Sequence, residues 1–348
     1  GNLMKIVTIG GGGGHKPVID AIMLLRQQRP QEEIHLSCIM TTLDSGGSSG
    51  ELRKHTGICV GDLRVGIAAL AEPALGQVFN TRVARNGGAH PSIFDGHAIG
   101  NLVIAALLEQ FDDPQEALDH LHMAFHLKGQ VLPITFMPGD VFAALGDGSC
   151  LDGEDAIYKA DIVNRGGLKK LWISPELLAN RKALKAIAEA DYIIFCAGTL
   201  WCSIVPPILI PGVKEALLQS KAKRLCVTNI VNRDGHMPPH ATVMDHVGMI
   251  EDYLCRGFFN YVLYNTGTLL PELASLFALE GKTAGYDTGS VVNDRVMIGH
   301  PFLDPEAMVA RVEEYWRVQD NPDQLKALRS PVQHAPHLLA MPLGWILR

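Results

Sequence analysis

The stretch Lys5–Gly14, KIVTIGGGGG, decides how the chain begins to fold. Lys5 to Ile9 is a short apolar run of the kind that forms a strand buried on both faces. Five consecutive glycines follow, Gly10, Gly11, Gly12, Gly13 and Gly14. Beyond them, PVIDAIMLLRQQ spaces its apolar residues as a helix does and stops before Pro30, with Pro17 suited to the first turn. Glycines carry no Cβ, so successive N–H groups can approach an anion while the helix dipole adds partial positive charge at the same point. A turn needs only one or two glycines. Five between a strand and a helix read as a phosphate cradle. Lys16 lacks the GK[ST] arrangement, so this is not a Walker loop.

Outward from this unit, Ile34 to Leu43 reads as the next strand. Strand, helix and strand in succession build a parallel sheet with a right-handed crossover. No lone acidic residue ends the second strand in the dinucleotide manner, so neither NAD nor a flavin is expected as a bound group. What stands there is Asp44, followed by Gly46, Gly47, Ser48, Ser49 and, soon after, Arg53 in the polar loop DSGGSSGELRK. A carboxylate beside glycines and hydroxyls is suited to Mg²⁺ or a ribose, while Ser48, Ser49 and Arg53 are suited to phosphate oxygens. Open α/β sheets hold ligands at such strand ends.

The chain has 348 residues, 47% apolar and 19% charged, with a net charge of −7. That balance favours a doubly covered sheet and argues against a nucleic-acid groove, which needs clustered Lys and Arg. Seven scattered cysteines indicate neither a disulfide framework nor a metal knuckle, and a reducing cytoplasm is the simplest setting. The first residues show no secretory leader pattern, and no apolar run is long enough to span a bilayer.

Downstream, Ile99 to Gln110 and Pro114 to Leu127 read as helices. Val131 to Phe136, Val141 to Leu145 and Ser149 to Leu151 are short and β-like, with a tight turn at Asp147-Gly148. Residues from about 130 to 175 are therefore expected to form an antiparallel insertion. Helix and strand then alternate again: Arg181 to Ala190, Asp191 to Cys196, Val213 to Gln219 and Leu225 to Ile230. Helices are also expected over Val243 to Cys255 and Pro305 to Trp316. Residues 1–320 read as one α/β domain, and 321–348 as a loosely packed tail containing the surface connection SPVQHAPH.

Three further motifs carry candidate chemistry. Asp62 opens the apolar helix after Val60-Gly61 and, taken alone, reads as an N-cap. His97 and Asn101 sit around the start of another helix, where a structural histidine and a ligand contact fit the sequence equally well. Gly198, Thr199 and Ser203 lie in a small-residue loop after an apolar strand, suited to a second phosphate or to a tight turn. Asn232 belongs to a polar cluster at a third strand end. His236 and His240 have no Cys or carboxylate at ligand spacing and read as surface residues.

In order, GGGGG, DSGGSSGELR, GDLR, GHAIGNLVIAAL, KGQVLPIT, EADYIIFCAGTLWCSIVPPILIPGV and IGHPFLDPEAM resemble the CofD-like superfamily, from about residue 5 to 315. Within it they are most similar to the YvcK-type gluconeogenesis-factor branch. The resemblance implies a Rossmann-like parallel sheet with an inserted β region and a cleft at the strand ends. It implies a nucleotide diphosphate or UDP-sugar ligand and a role in carbon metabolism and cell shape. The superfamily's enzyme branch implies a different activity: Mg²⁺-dependent transfer of a phospholactyl group from a guanosine diphosphate donor to a deazaflavin. Two positions depart from the pattern, Gly13 for a threonine and Ser45 for a second aspartate. Asp44 and Asp62 remain as candidate catalytic residues and Mg²⁺ ligands. Homo-oligomer formation, or an output through protein partners, is left open.

Overall fold

A computed structural model of the chain describes residues 3–84, 92–238, 240–279, 282–283, 295–321 and 332–348. The first half runs β1 (Leu3–Gly10), α1 (Gly12–Gln28), β2 (Glu33–Met40), α2 (Gly47–Thr56), α3 (Gly61–Leu70), α4 (Pro73–Asn80), α5 (Ile99–Gln110), α6 (Pro114–Ala124) and β3 (Gln130–Pro133). Next come β4 (Asp140–Leu145), β5 (Cys150–Asp152), α7 (Glu154–Lys159), β6 (Leu168–Ser174), α8 (Arg181–Glu189) and β7 (Tyr192–Phe195). The remainder comprises α9 (Val213–Gln219), β8 (Lys223–Val227), β9 (Asn232–Arg233), α10 (Val243–Glu251), β10 (Tyr261–Asn265), α11 (Pro271–Leu279), β11 (Lys282–Thr283), β12 (Val296–His300), α12 (Pro305–Val318) and α13 (Pro336–Ile346).

Seven strands form one sheet in the order β12-β10-β8-β7-β1-β2-β3, every neighbouring pair parallel. β1 alternates its side chains between two cores, Met4 and Ile6 into one, Val7 and Ile9 into the other. A parallel strand between two helical layers must be apolar on both faces, as KIVTI is. The chain order runs outward from β1 in one direction through β2 and β3, and in the other through β7 and β8. The switch point therefore lies between β1 and β7, where such sheets open a crevice.

The small antiparallel sheet is β5-β4-β6, with Gly148 at a φ of +85° in the tight turn between β4 and β5. It begins at Asp140 rather than near 130. β3 belongs to the main sheet, its residues from Gln130 pairing in parallel with β2 from Ser37. Four residues of apolar strand carry no mark of parallel or antiparallel partnership. The tail also differs from the loose surface connection expected. His334 and Ala335 are buried, and α13 packs along α1, where the Arg29 guanidinium donates to the Leu347 carbonyl at 2.6 Å and to the Gly344 carbonyl. Residues 322–331, also part of that reading, lie outside the described residues. Tyr192 Oη donates to the Ile346 carbonyl at 3.1 Å. All seven cysteines are free thiols, and among the described residues no single helix is long and apolar enough to cross a membrane.

Candidate functional site

The glycine run divides between two elements. Gly10 ends β1, Gly11 precedes the helix with extended backbone, and Gly12, Gly13 and Gly14 are the first turn of α1. An added Cβ on Gly14 would overlap the Ala197 carbonyl oxygen, because this turn packs against the loop that follows β7. A Cβ on Gly11 would lie 3.0 Å from Ser203 Oγ, and one on Gly12 would lie 2.7 Å from Asp62 Oδ1. Close packing thus requires glycine at several of these positions, independently of any ligand. Beneath the turn, fully buried His15 donates from Nδ1 to the Gly10 carbonyl at 3.3 Å, and its Nε2 accepts from Thr8 Oγ1 at 2.5 Å. Burial lowers its pKa to about 4, so the ring is neutral and works as a strut.

Around this turn is a cleft of about 300 Å³ lined by Gly11 to Gly14, Asp44, Asp62, Glu154, Ala197 to Leu200 with Cys202 and Ser203, the strand end from Asn229 to Arg233, and Val332 to His334. Asn229 ties two of these loops together: its Oδ1 accepts from Gly198 N at 2.7 Å and its Nδ2 donates to the Gly198 carbonyl at 2.8 Å. Residues Leu200–Ile204 form a π-helix, a rare turn that is frequent at functional sites. It aligns Thr199 and Ser203, whose hydroxyls lie 3.4 Å apart.

Three carboxylates enter the cleft. Asp62 is not the N-cap of α3, a position held by Val60; it sits in the first turn and accepts from Gly12 N at 2.9 Å. Burial, then the charge of Asp44, raises its pKa to about 7. Asp44 accepts from Gly46 N at 2.9 Å, closing its own turn. Glu154 begins α7 in the β insertion, entered through Gly153 at a φ of +90°. Its pKa is raised by burial, then by the charge of Asp44 and a hydrogen bond with it. Ser45 Oγ accepts from Asp155 N at 3.2 Å and tethers the insertion to the β2 loop. Cys202 Sγ contacts the Glu154 carbonyl at 3.7 Å, and burial raises its thiol well above its usual range. Among the described residues no three His, Cys, Asp or Glu side chains form a ready-made metal cage.

Of the residues expected from sequence, Gly11 to Gly14, Asp44, Asp62, Gly198, Thr199, Ser203 and Asn232 line one cleft. Others serve as scaffold. The stretch read as a polar loop after Asp44 becomes α2 at Gly47, and beyond their backbone Gly47 and Ser48 lie outside the described residues. Ser49 packs against Gly61, and Arg53 binds Asp140 at 2.8 Å and the Gly139 carbonyl, joining α2 to the insertion. Asn101, buried in α5, accepts from Arg64 Nε at 2.9 Å, so GDLR and GHAIGNL meet as a helix clamp. His97 lies in the hydrogen-bonded turn before α5, its carbonyl accepting from Val83 N at 2.9 Å.

Sequence reading missed Glu154, Tyr158, Arg233, His236, Gln333 and His334 as cleft residues. Gly153-Glu154 after a hairpin offered the one local signal for the first of them. His236 is buried rather than on the surface; its Nε2 donates to the Ile157 carbonyl at 2.8 Å, and burial lowers its pKa to about 4. His240 is exposed, as expected. The Arg233 guanidinium lies over the Tyr158 ring at 4.3 Å.

Fold and cleft together define a doubly wound α/β protein whose switch-point crevice combines a helix N-terminus with buried carboxylates. The model of the family described as 2-phospho-L-lactate transferase CofD matches residues 6–286, and the chain belongs to that family. It is 32% identical to the gluconeogenesis factor of Listeria innocua, covering 77% of this chain and 80% of that protein. With the gluconeogenesis factor of Halalkalibacterium halodurans it shares 30% identity, over 73% of this chain and 77% of the relative. Among solved structures, a UPF0052-family protein from Bacillus halodurans shares the fold at a TM-score of 0.78, covering 98% of this chain and 99% of that one at 24% identity.

Proposed function

We propose that this chain binds a nucleoside diphosphate or UDP-sugar as its Mg²⁺ complex and acts in the control of carbon metabolism. The observation that carries the reading is the adjacency of an anion site and an acid site in one cleft. Helix geometry leaves the Gly13 and Gly14 N–H groups without intrahelical partners, a natural seat for phosphate. Asp44, Asp62 and Glu154 beside them would repel that phosphate unless a cation lay between. Mg²⁺ suits the donor set, since it prefers hard oxygen ligands and usually takes one or two carboxylates together with substrate phosphates. Asp44 and Asp62 would hold it, and its charge would neutralise the diphosphate. Relatives named gluconeogenesis factor support the metabolic role.

The carboxylates also suit a phospholactyl transferase, the activity named in the family description. Trp201, buried against Tyr253 at 6.2 Å, and half-exposed Phe94 do not line the cleft, and the aromatic ring that does is Tyr158. Calorimetric titration with UDP-GlcNAc, UDP-glucose and GDP, with and without Mg²⁺, tests the reading. Saturable, Mg²⁺-dependent binding of one of them is expected, and binding by none overturns it. Mass-detected product from a deazaflavin acceptor and the guanylylated phospholactate donor would establish the transferase instead.

A further inference from the structure

We propose that the segment Val332–His334, far from the glycine run in sequence, is a ligand-contacting wall of the cleft. Gln333 donates to a phosphate seated on the glycine turn, and His334 accepts from an N–H or O–H of the ligand. The inference rests on the nucleotide reading above and adds the residues that discriminate among ligands.

Gly13 is the glycine whose side-chain direction is open, and the nearest group along it is Gln333 Nε2, 3.4 Å from an added Cβ. A carboxamide N–H₂ has only donors to offer at that atom. Beside backbone N–H groups at a helix start, it makes a convergent donor set for a phosphoryl oxygen.

His334 supplies an independent observation. It is 4% exposed and lines the cleft, its ring bonded to the Thr228 carbonyl and set against Phe302 at 5.2 Å. Its Nε2 is buried and has no hydrogen-bond partner. With the other ring nitrogen donating to a carbonyl, Nε2 of the neutral ring is an acceptor. Buried polar atoms are nearly always paired in native proteins, so an orphan acceptor on a cleft wall points to a partner that arrives with the ligand. A base imide N–H and a sugar hydroxyl share that chemistry.

The wall is rigidly seated. Ala335 N donates to the Phe302 carbonyl at 2.7 Å, and α13 then packs on α1, the helix whose first turn carries the glycines. Glycine turn and C-terminal wall thus sit at the same end of one helix pair, whose other end is tied by Arg29 to the Gly344 and Leu347 carbonyls.

Titration of the full chain with Mg²⁺ and UDP, UDP-GlcNAc, GDP or pyrophosphate tests this with Gln333→Leu, Gln333→Glu and His334→Phe. Hydrogen bonds to charged groups imply about a 10-fold loss for Gln333→Leu on each phosphate probe that the wild type binds, and a larger loss for Gln333→Glu. His334→Phe keeps a ring against Phe302; it should weaken the nucleotides and spare pyrophosphate. Loss on UDP assigns the base, and loss on UDP-GlcNAc alone assigns the sugar. Wild-type affinity in Gln333→Leu and His334→Phe overturns this inference while leaving the nucleotide reading intact. Absence of binding by the wild type overturns both. Gln333 is exposed, so its variants keep the test open if His334→Phe fails to fold.

Discussion

The glycine turn after β1 and the acidic wall built by Asp44, Asp62 and Glu154 meet in the same cleft, but they are held in opposite ways. The turn is positioned by backbone: Gly14 against the Ala197 carbonyl, Gly10 at the end of a strand paired on both sides. The acidic wall is positioned by side chains from three separate elements, and Asp62 and Glu154 are destabilised as anions by burial and by the charge of Asp44. Rigid backbone donors therefore meet acidic side chains in one cleft. On the proposed reading, such a site would be preorganised for phosphate on one side and would gain its remaining stability when a metal complex binds.

The sharpest way to break the comparison is at the turn. Gly14→Ala forces a Cβ into a backbone oxygen and should cost about 3 kcal/mol or more in urea unfolding. Gly13→Ala, whose nearest neighbour is 3.4 Å away, should shift stability by less than about 1 kcal/mol. Equal effects would mean that packing does not distinguish the glycines.

On the acidic wall, Asp62 has a native pKa of about 7 against an unfolded 3.8. The native state therefore binds the proton more tightly, and the Asp62 contribution to stability falls as pH rises across that window, by on the order of 4 kcal/mol. Asp62→Asn keeps an acceptor for Gly12 N and abolishes this part of the slope. Unfolding midpoints from pH 4 to 8 should flatten in the variant, and an unchanged slope would remove Asp62 from the account.

Glu154→Gln addresses the proton that the raised pKa of Glu154 favours. If Mg²⁺-nucleotide binding displaces it, calorimetry in buffers of different ionisation enthalpy should show proton release in the wild type and its loss in the variant. Affinity should fall about 10-fold with it. An effect on stability alone is expected at Arg53→Ala, whose partners Asp140 and Gly139 lie on the insertion. It should cost about 1 kcal/mol of stability and leave ligand affinity unchanged, since Arg53 serves the scaffold.

Motifs with local grammar were legible in the sequence. Strand, glycines and helix announced the glycine end of the cleft, and the apolar run before Cys196 placed Gly198, Thr199 and Ser203 at a strand end. GDLR and GHAIGNL were legible as motifs but not in role: Asn101, a ligand candidate from sequence, accepts from Arg64. Ser45 invited a reading of loss, yet it holds the insertion that brings in Glu154.

By itself, the sequence determined the parallel sheet, the position of the glycine turn and the family, because apolar periodicity, glycine runs and ordered motifs act over a few residues. Only the tertiary structure decided that β3 joins the main sheet, that Glu154 completes the acidic group, and that Gln333 and His334 close the cleft. Those contacts join residues far apart in the chain, and side-chain spacing carries no record of which distant surfaces a sheet's switch point will bring together.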